Sequence, residues 1–273
     1  MTETHFSQIL GQTPLDLFRL NLCLAREVAY PDLDIEAYIA KLDRLVAEAG
    51  NVLDHEAEVK VRIEQLSWLL FQRRRFRGNN HTYGDPRNSY MNQVLDRGLG
   101  IPISLSLLYV TVAQRVGLPA FGVGMPGHFI VAVEAERQTV YLDVFSGGNQ
   151  LSLEDCAGLV RNTTGLGQPF QQEWLQPTPD ADILARMLNN LRIGYIQREM
   201  WREAAAVIER LRLLTPNNPE LKRDLGLIYY HHGRLQKAAF FLDAYLRQSP
   251  NAPEAEAIRR NMGPDLTSWG RNN

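Results

Sequence analysis

The 273-residue chain has only two cysteines, Cys23 and Cys156, far apart in sequence. Two thiols make no disulfide framework, and neither lies in a spaced Cys/His cluster, so no structural zinc site is expected. A long apolar run is also missing; none approaches the length needed to cross a bilayer. Charge of one sign is missing too. The chain carries 29 Lys+Arg against 31 Asp+Glu, a net −2, which steers it toward neither nucleic acid nor an anionic membrane. The opening residues Met1-Thr2-Glu3-Thr4-His5 lack the basic and apolar regions of a signal peptide. These absences lead us to expect a cytoplasmic, reduced setting, with no cofactor, no metal, no nucleic acid and no membrane partner. What is present is ordinary globular material, 45% hydrophobic and 22% charged, enough for one large or two modest domains.

Residues 14–76 read as helices. Leu15, Phe18, Leu22, Ala25 and Ala29 form one apolar stripe at helical spacing. Pro31-Asp32 breaks it; Ile35 to Ala49 predicts a second helix ending at Gly50, and Glu56 to Phe71 a third. Gly78 to Asn88 is rich in Gly, Pro, Asn and Asp and reads as a loop, and Ser89 precedes a helical pattern through Leu95. The next helix differs in kind. Pro102 suits a first helical position, Ser104 falls in the first turn near the positive end of the helix dipole, and Ile103, Leu105, Leu107, Leu108, Val110, Val112 and Val116 cover nearly every face. Such a helix is central and buried. Phe121 to Met125, Phe129 to Val133 and Thr139 to Val144 have strand character, with a turn at Ala135-Glu136-Arg137. A buried helix against an antiparallel sheet is an α+β core.

The tail changes character. Leu191, Tyr195, Ala204, Ile208, Leu211 and Pro216 recur 34 residues later as Leu225, Tyr229, Ala238, Leu242, Tyr245 and Pro250. That period and residue order look like tetratricopeptide (TPR) repeats, with Gly226 at the close-packing position of the second unit and Arg192 in its place in the first. Glu254 to Met262 is expected to cap the array, and residues 171–181, with Pro177 and Pro179, to link it to what precedes.

Chemistry concentrates at three residues. His128 follows Pro126-Gly127 at a strand start, where it faces a cleft or bonds backbone. Asp143 comes fifteen residues later among Tyr141, Leu142, Val144 and Phe145. A hairpin brings the two side by side, and a buried carboxylate needs a partner. Ser104 and Ser106 are the hydroxyls at the helix start; a first-turn serine is more often a cap than a nucleophile, and Ser106, between two leucines, reads as core. Ser152-Leu153-Glu154-Asp155 resembles a capping box that puts Cys156 in a first helical turn, where a thiol pKa can fall. Arg73-Arg74-Arg75 and Arg77 read as a solvated helix end, and His231-His232 as a loop contact.

Asn88-Ser89-Tyr90, Gly100 to Leu105, Gly117-Leu118-Pro119, Pro126-Gly127-His128-Phe129 and Leu142-Asp143 together resemble the bacterial SirB-type proteins, a transglutaminase-like domain followed by TPR repeats. The resemblance implies a papain/transglutaminase-like α+β core with N-terminal helices and an all-α TPR tail, divided as residues 1–175 and 183–273. The wider superfamily uses a Cys–His–Asp triad whose cysteine begins the central helix. His128 and Asp143 match the last two roles, while the cysteine's turn reads Pro102-Ile103-Ser104, making Ser104 its replacement. Tyr83, Asp85, Arg87 and Asn88 match the pattern as a loop before the core. Two functions compete. The preferred one is a protein-interaction or regulatory module with a degenerate, Cys-less triad, binding a protein or peptide through its TPR tail. The other is a hydrolase or acyltransferase acting on amide or ester bonds with Ser104, His128 and Asp143.

Overall fold

The computed structural model describes residues 5–136, 138–165 and 169–260. It falls into two units, residues 1–187 and 188–273.

The first unit opens with α1 (Phe6–Leu10), α2 (Leu17–Val28), α3 (Ile35–Val52) and α4 (Val59–Ser67), the last running into a π-helical turn, Trp68–Arg73. Asp16 and Asp34 begin α2 and α3 by accepting the Arg19 and Ala37 N–H groups, as N-caps do. Gly50 does not end α3. It stays helical and the chain leaves at Leu53, because a glycine stops a helix only where a left-handed turn follows it. Then come β1 (Arg77–Gly78), a 3₁₀ turn (Pro86–Asn88), α5 (Met91–Arg97) and β2 (Leu99–Gly100), with β1 and β2 paired in parallel.

Helix α6 (Pro102–Arg115) is the axis of this unit. Every residue from Pro102 to Tyr109 is buried. It packs on α2, α3, α5, β3 (Ala120–Val123) and β4 (Ile130–Ala135). A helix apolar on all sides has this one stable place, since each buried Leu or Ile contributes about 1.5–3 kcal/mol. β5 (Gln138–Asp143) and β6 (Asn149–Leu151) complete an antiparallel sheet in the order β3-β4-β5-β6, with Val131 opposite Leu142. Helix α7 (Leu153–Thr164) and a 3₁₀ turn (Gln172–Leu175) follow.

The stretch expected to be a linker is instead built into the first unit. Leu175 joins the cluster of Val123, Met125, Ile130, Cys156 and Val160. The Thr178 N–H donates to the Gly122 carbonyl and the Gly124 N–H to Thr178 Oγ1, extending the edge of β3. Prolines there interrupt helix but leave free backbone groups that an edge strand takes up. Helix α8 (Asp180–Ile196) begins next, and the division between units falls inside it.

The second unit contains the rest of α8, then α9 (Trp201–Leu214), α10 (Pro219–His231) and α11 (Leu235–Gln248). At Gly226 a Cβ would lie 2.5 Å from Leu242 Cγ, so only glycine lets α10 and α11 approach this closely. Arg192, at the matching place one repeat earlier, reaches outward to Asp224 at 2.6 Å. Residues 255–260 are helical; Asn261 and Met262 of the expected cap lie outside the described residues, as does Arg137 of the expected hairpin turn. Among the described residues no helix is long and apolar enough to cross a membrane.

Candidate functional site

Pro126 and Gly127 form a tight turn that delivers His128. The His128 N–H donates to the Met125 carbonyl, and Gly127 has φ +72°, the arrangement of a type II turn with proline second and glycine third. A side chain at Gly127 would also collide with Thr163 Oγ1 at 2.5 Å. His128 therefore enters β4 with its ring against the end of β5, where Nε2 lies 3.2 Å from Asp143 Oδ1. Both groups are buried, 8% and 4% exposed. The expected pairing across the hairpin is present.

Asp143 has other partners. Oδ1 also accepts the N–H groups of Phe145 at 3.1 Å and Ser146 at 3.4 Å, and Oδ2 accepts the Ser146 hydroxyl at 2.6 Å. The carboxylate thus folds the β5–β6 turn around itself as well as holding the imidazole. Burial pushes its pKa up, but the bonds from His128 and Ser146 outweigh this and hold it below the ordinary value. An ionised carboxylate only accepts, so the hydrogen of this bond is carried by Nε2. Phe145 stands edge-on to His128 at 6.4 Å, and Tyr83, half exposed, stands edge-on to Phe145 at 5.9 Å.

Ser104 is placed differently. It is fully buried at the start of α6. Its hydroxyl accepts the Ile101 N–H at 3.0 Å and donates to the Asn88 carbonyl at 2.6 Å. Asn88 is itself buried; its amide donates to the Thr82 and Tyr83 carbonyls and its oxygen accepts from Asn79. Asp85 caps the Arg87 N–H and pairs with its guanidinium. The loop residues matched by resemblance thus hold their own backbone and the entry of α6, while Tyr83 alone reaches the aromatic wall by His128. Among the described residues, no hydrogen bond joins Ser104 to His128.

Cys156 sits in the first turn of α7 behind the expected capping box, where Ser152 Oγ accepts the Asp155 N–H. Its thiol is nonetheless fully buried in the apolar cluster under the sheet, and desolvation pushes its pKa up to about 11. Its place in a first helical turn does not lower the pKa here, because loss of water outweighs a helix dipole. Burial likewise raises Cys23 to about 11. Arg73 and Arg74 are paired with Glu48, which accounts for half the basic run. His231 stacks on Trp201 at 5.2 Å, and no group of His, Cys, Asp and Glu among the described residues is arranged to hold a metal.

One residue escaped the sequence reading. Arg186 of α8 donates Nη1 to the Met125 carbonyl at 3.1 Å and Nη2 to the His128 carbonyl at 3.0 Å, clamping both ends of the turn that carries the imidazole. It also covers the Phe129 ring at 5.4 Å. Burial pulls its pKa down without removing its charge. Nothing in local spacing signals a contact made across 58 residues.

Comparison with known proteins follows this division. The profile of the transglutaminase-like superfamily matches residues 36–189, and that of the tetratricopeptide repeat residues 191–263. The UPF0162 protein of Xylella fastidiosa (strain 9a5c) is 35% identical over 251 residues, 91% of this chain and 89% of its own. F-box only protein 21 of Mus musculus is 34% identical over 209 residues, 71% of this chain but 32% of its own. Among solved structures, menin superposes with a TM-score of 0.43 at 13% identity, over 98% of this chain and 76% of menin's.

Proposed function

The chain belongs to the transglutaminase-like superfamily, alongside its UPF0162 relatives, and we propose that it serves as a protein-interaction or regulatory module with a degenerate triad. Ser104 carries this reading. In the superfamily layout the nucleophile begins the central helix, and here that hydroxyl is fully buried with its donor and acceptor both committed to backbone. A nucleophile needs a base within reach and an open path to substrate. Neither thiol of the chain offers a substitute, since burial keeps both protonated near neutral pH. The His128–Asp143 pair then acts as a structural tie between the β4 entrance and the β5–β6 turn.

The second unit supplies a recognition surface. A groove of about 340 Å³ is walled by Ile193, Ile196, Trp201, Leu227, Ile228 and His231. Ile193 and Ile196 are exposed there, and apolar exposure rimmed by the Arg192–Asp224 pair suits a peptide with apolar side chains. A protein or peptide ligand at this groove is the partner we assign. Affinity capture with the full chain and its Trp201→Ala variant tests it: a set of proteins retained by the first and lost by the second is expected, and identical recoveries would remove the groove from the account.

One fact favours the enzyme reading. Asp143 orients the imidazole so that Nδ1 is free to act as a base. On that reading Ser104 leaves the Asn88 carbonyl, transfers its proton to His128 and attacks an amide or ester carbonyl, and the C–N or C–O bond breaks as His128 returns the proton to the departing amine or alcohol, leaving an acyl-serine that water hydrolyses or an acceptor takes up. A fluorophosphonate probe separates the two: no labelling of Ser104 at high probe concentration is expected, whereas labelling that vanishes in His128→Ala would establish the enzyme.

A further inference from the structure

The apolar groove of the second unit has an occupant of the right kind within its own chain. Ile193 and Ile196 of α8 line it and are 48% and 36% exposed, and Trp201 and Leu227 continue its walls. Apolar side chains gathered in one open groove mark a surface that something covers. The charges at its rim are already matched, Arg192 against Asp224 at 2.6 Å. What the groove offers an occupant is therefore apolar contact.

The helix of residues 255–260 packs beside this groove. Its Ile258 joins a cluster with Leu242 and Tyr245, and Leu227 of α10 packs against that cluster while also lining the groove. Arg223 of α10 pairs with Glu254 at 2.6 Å and with the groove residue Asp224 at 3.0 Å. One helix thickness, about 10 Å, thus separates the helix 255–260 from the groove.

Residues 261–273 follow, reading Asn-Met-Gly-Pro-Asp-Leu-Thr-Ser-Trp-Gly-Arg-Asn-Asn. This stretch is polar apart from Met262, Leu266 and Trp269, and its two charged side chains, Asp265 and Arg271, cancel. Tryptophan is enriched among the anchors of protein recognition. Leu266 and Trp269 stand six and nine positions beyond Arg260, a reach of up to about 20 and 30 Å at about 3.4 Å per residue. Both can pass α10. So short a tether holds the segment at an effective concentration on the order of 1 mM.

We propose that residues 264–273 dock in this groove, with Leu266 and Trp269 as anchors, and close it to other peptides until they are displaced. Such docking rests on the reading of the groove as a peptide site, and makes that site self-regulated.

The full chain and its Leu266→Ser/Trp269→Ser variant, each with 13C-labelled isoleucine methyl groups, test this by NMR. The Ile193, Ile196 and Ile228 signals should differ between the two, while that of Ile103 in α6 should not. A fluorescein-labelled synthetic peptide of residues 261–273 is then titrated. It should bind the double variant with a Kd on the order of 100 µM and the parent about tenfold more weakly, because a tethered copy at about 1 mM competes. Trp201→Ala or Ile193→Ser, each added to the double variant, should weaken the peptide at least about tenfold. A chain cut after Met262 should behave as the double variant does, and thermal melting checks that every variant is folded. Unmoved groove signals, equal affinity for parent and double variant, no binding to either folded tail variant, or affinity that survives both wall changes would each overturn the docking. Capture of other proteins is read separately. Trp201-dependent capture beside a failed docking leaves an open peptide groove, whereas docking without such capture removes only the foreign partner.

Discussion

Ser104 and Ser106 lie on the same helix, two residues apart and equally buried, yet their surroundings are opposites. Around Ser104 the chain has assembled a polar web, in which Asn79, Asn88, Thr82 and the Ile101 backbone exchange bonds until the serine has nothing left to give. Ser106 lies between Leu105 and Leu107, and its hydroxyl meets no protein partner. The first serine, which we propose stands in for the superfamily's nucleophile, is engaged in holding a loop. The second has no hydrogen-bond partner within the protein. Position in a motif is therefore a poor guide to what a side chain is free to do; its hydrogen-bond ledger is a better one.

Breaking the web should have the largest effect. Asn88→Ala removes four side-chain bonds at a fully buried site and leaves the Thr82 and Tyr83 carbonyls, the Asn79 amide and the Arg97 guanidinium without it. We expect a loss of about 3–4 kcal/mol in urea unfolding. Ser104→Ala should cost about 2 kcal/mol, because the Ile101 N–H and the Asn88 carbonyl each lose a partner inside the protein. If Ser104→Ala proves neutral, the contrast between the two serines fails.

The His128–Asp143 corner belongs with the satisfied region, and pH sharpens the point. Asp143 has a folded pKa below its ordinary 3.8, so its contribution is fully present above that value and is lost as pH falls through the folded pKa. The wild-type protein should lose stability below about pH 4 partly for this reason. Asp143→Asn should lower neutral-pH stability by about 1–2 kcal/mol and flatten that acid limb. An unchanged limb, followed by thermal melting between neutral and acid pH, would show that the carboxylate is not stabilised by its partners.

Ser106→Ala is the smallest and the most telling change. It should leave stability unchanged or raise it by up to about 0.5 kcal/mol, since an unmet hydroxyl is removed and a better helix former installed. A loss approaching that of Ser104→Ala would place a hidden partner on this hydroxyl.

Much of the fold was legible from local pattern. The all-round apolar face of 102–116 pointed to a buried helix, Pro126-Gly127 set His128 at a strand start, and strand segments on either side of residues 135–137 pointed to a hairpin that brings His128 to Asp143. The 34-residue period required stacked helical pairs, and Gly226 marked their closest approach. What escaped was non-local. Whether Gly50 ended a helix, whether 171–181 spanned space or filled an edge, and whether Cys156 met a dipole or a hydrocarbon wall depended on neighbours far along the chain.

The sequence by itself determined the elements and the pairing of imidazole with carboxylate, because periodicity, turn chemistry and hairpin register act over a few residues. The tertiary structure decided which serine is hydrogen-bonded and which is not, where Arg186 clamps, and that both thiols are buried. Those outcomes depend on desolvation and on hydrogen bonds closed across tens of residues, quantities that exist only once the chain has packed.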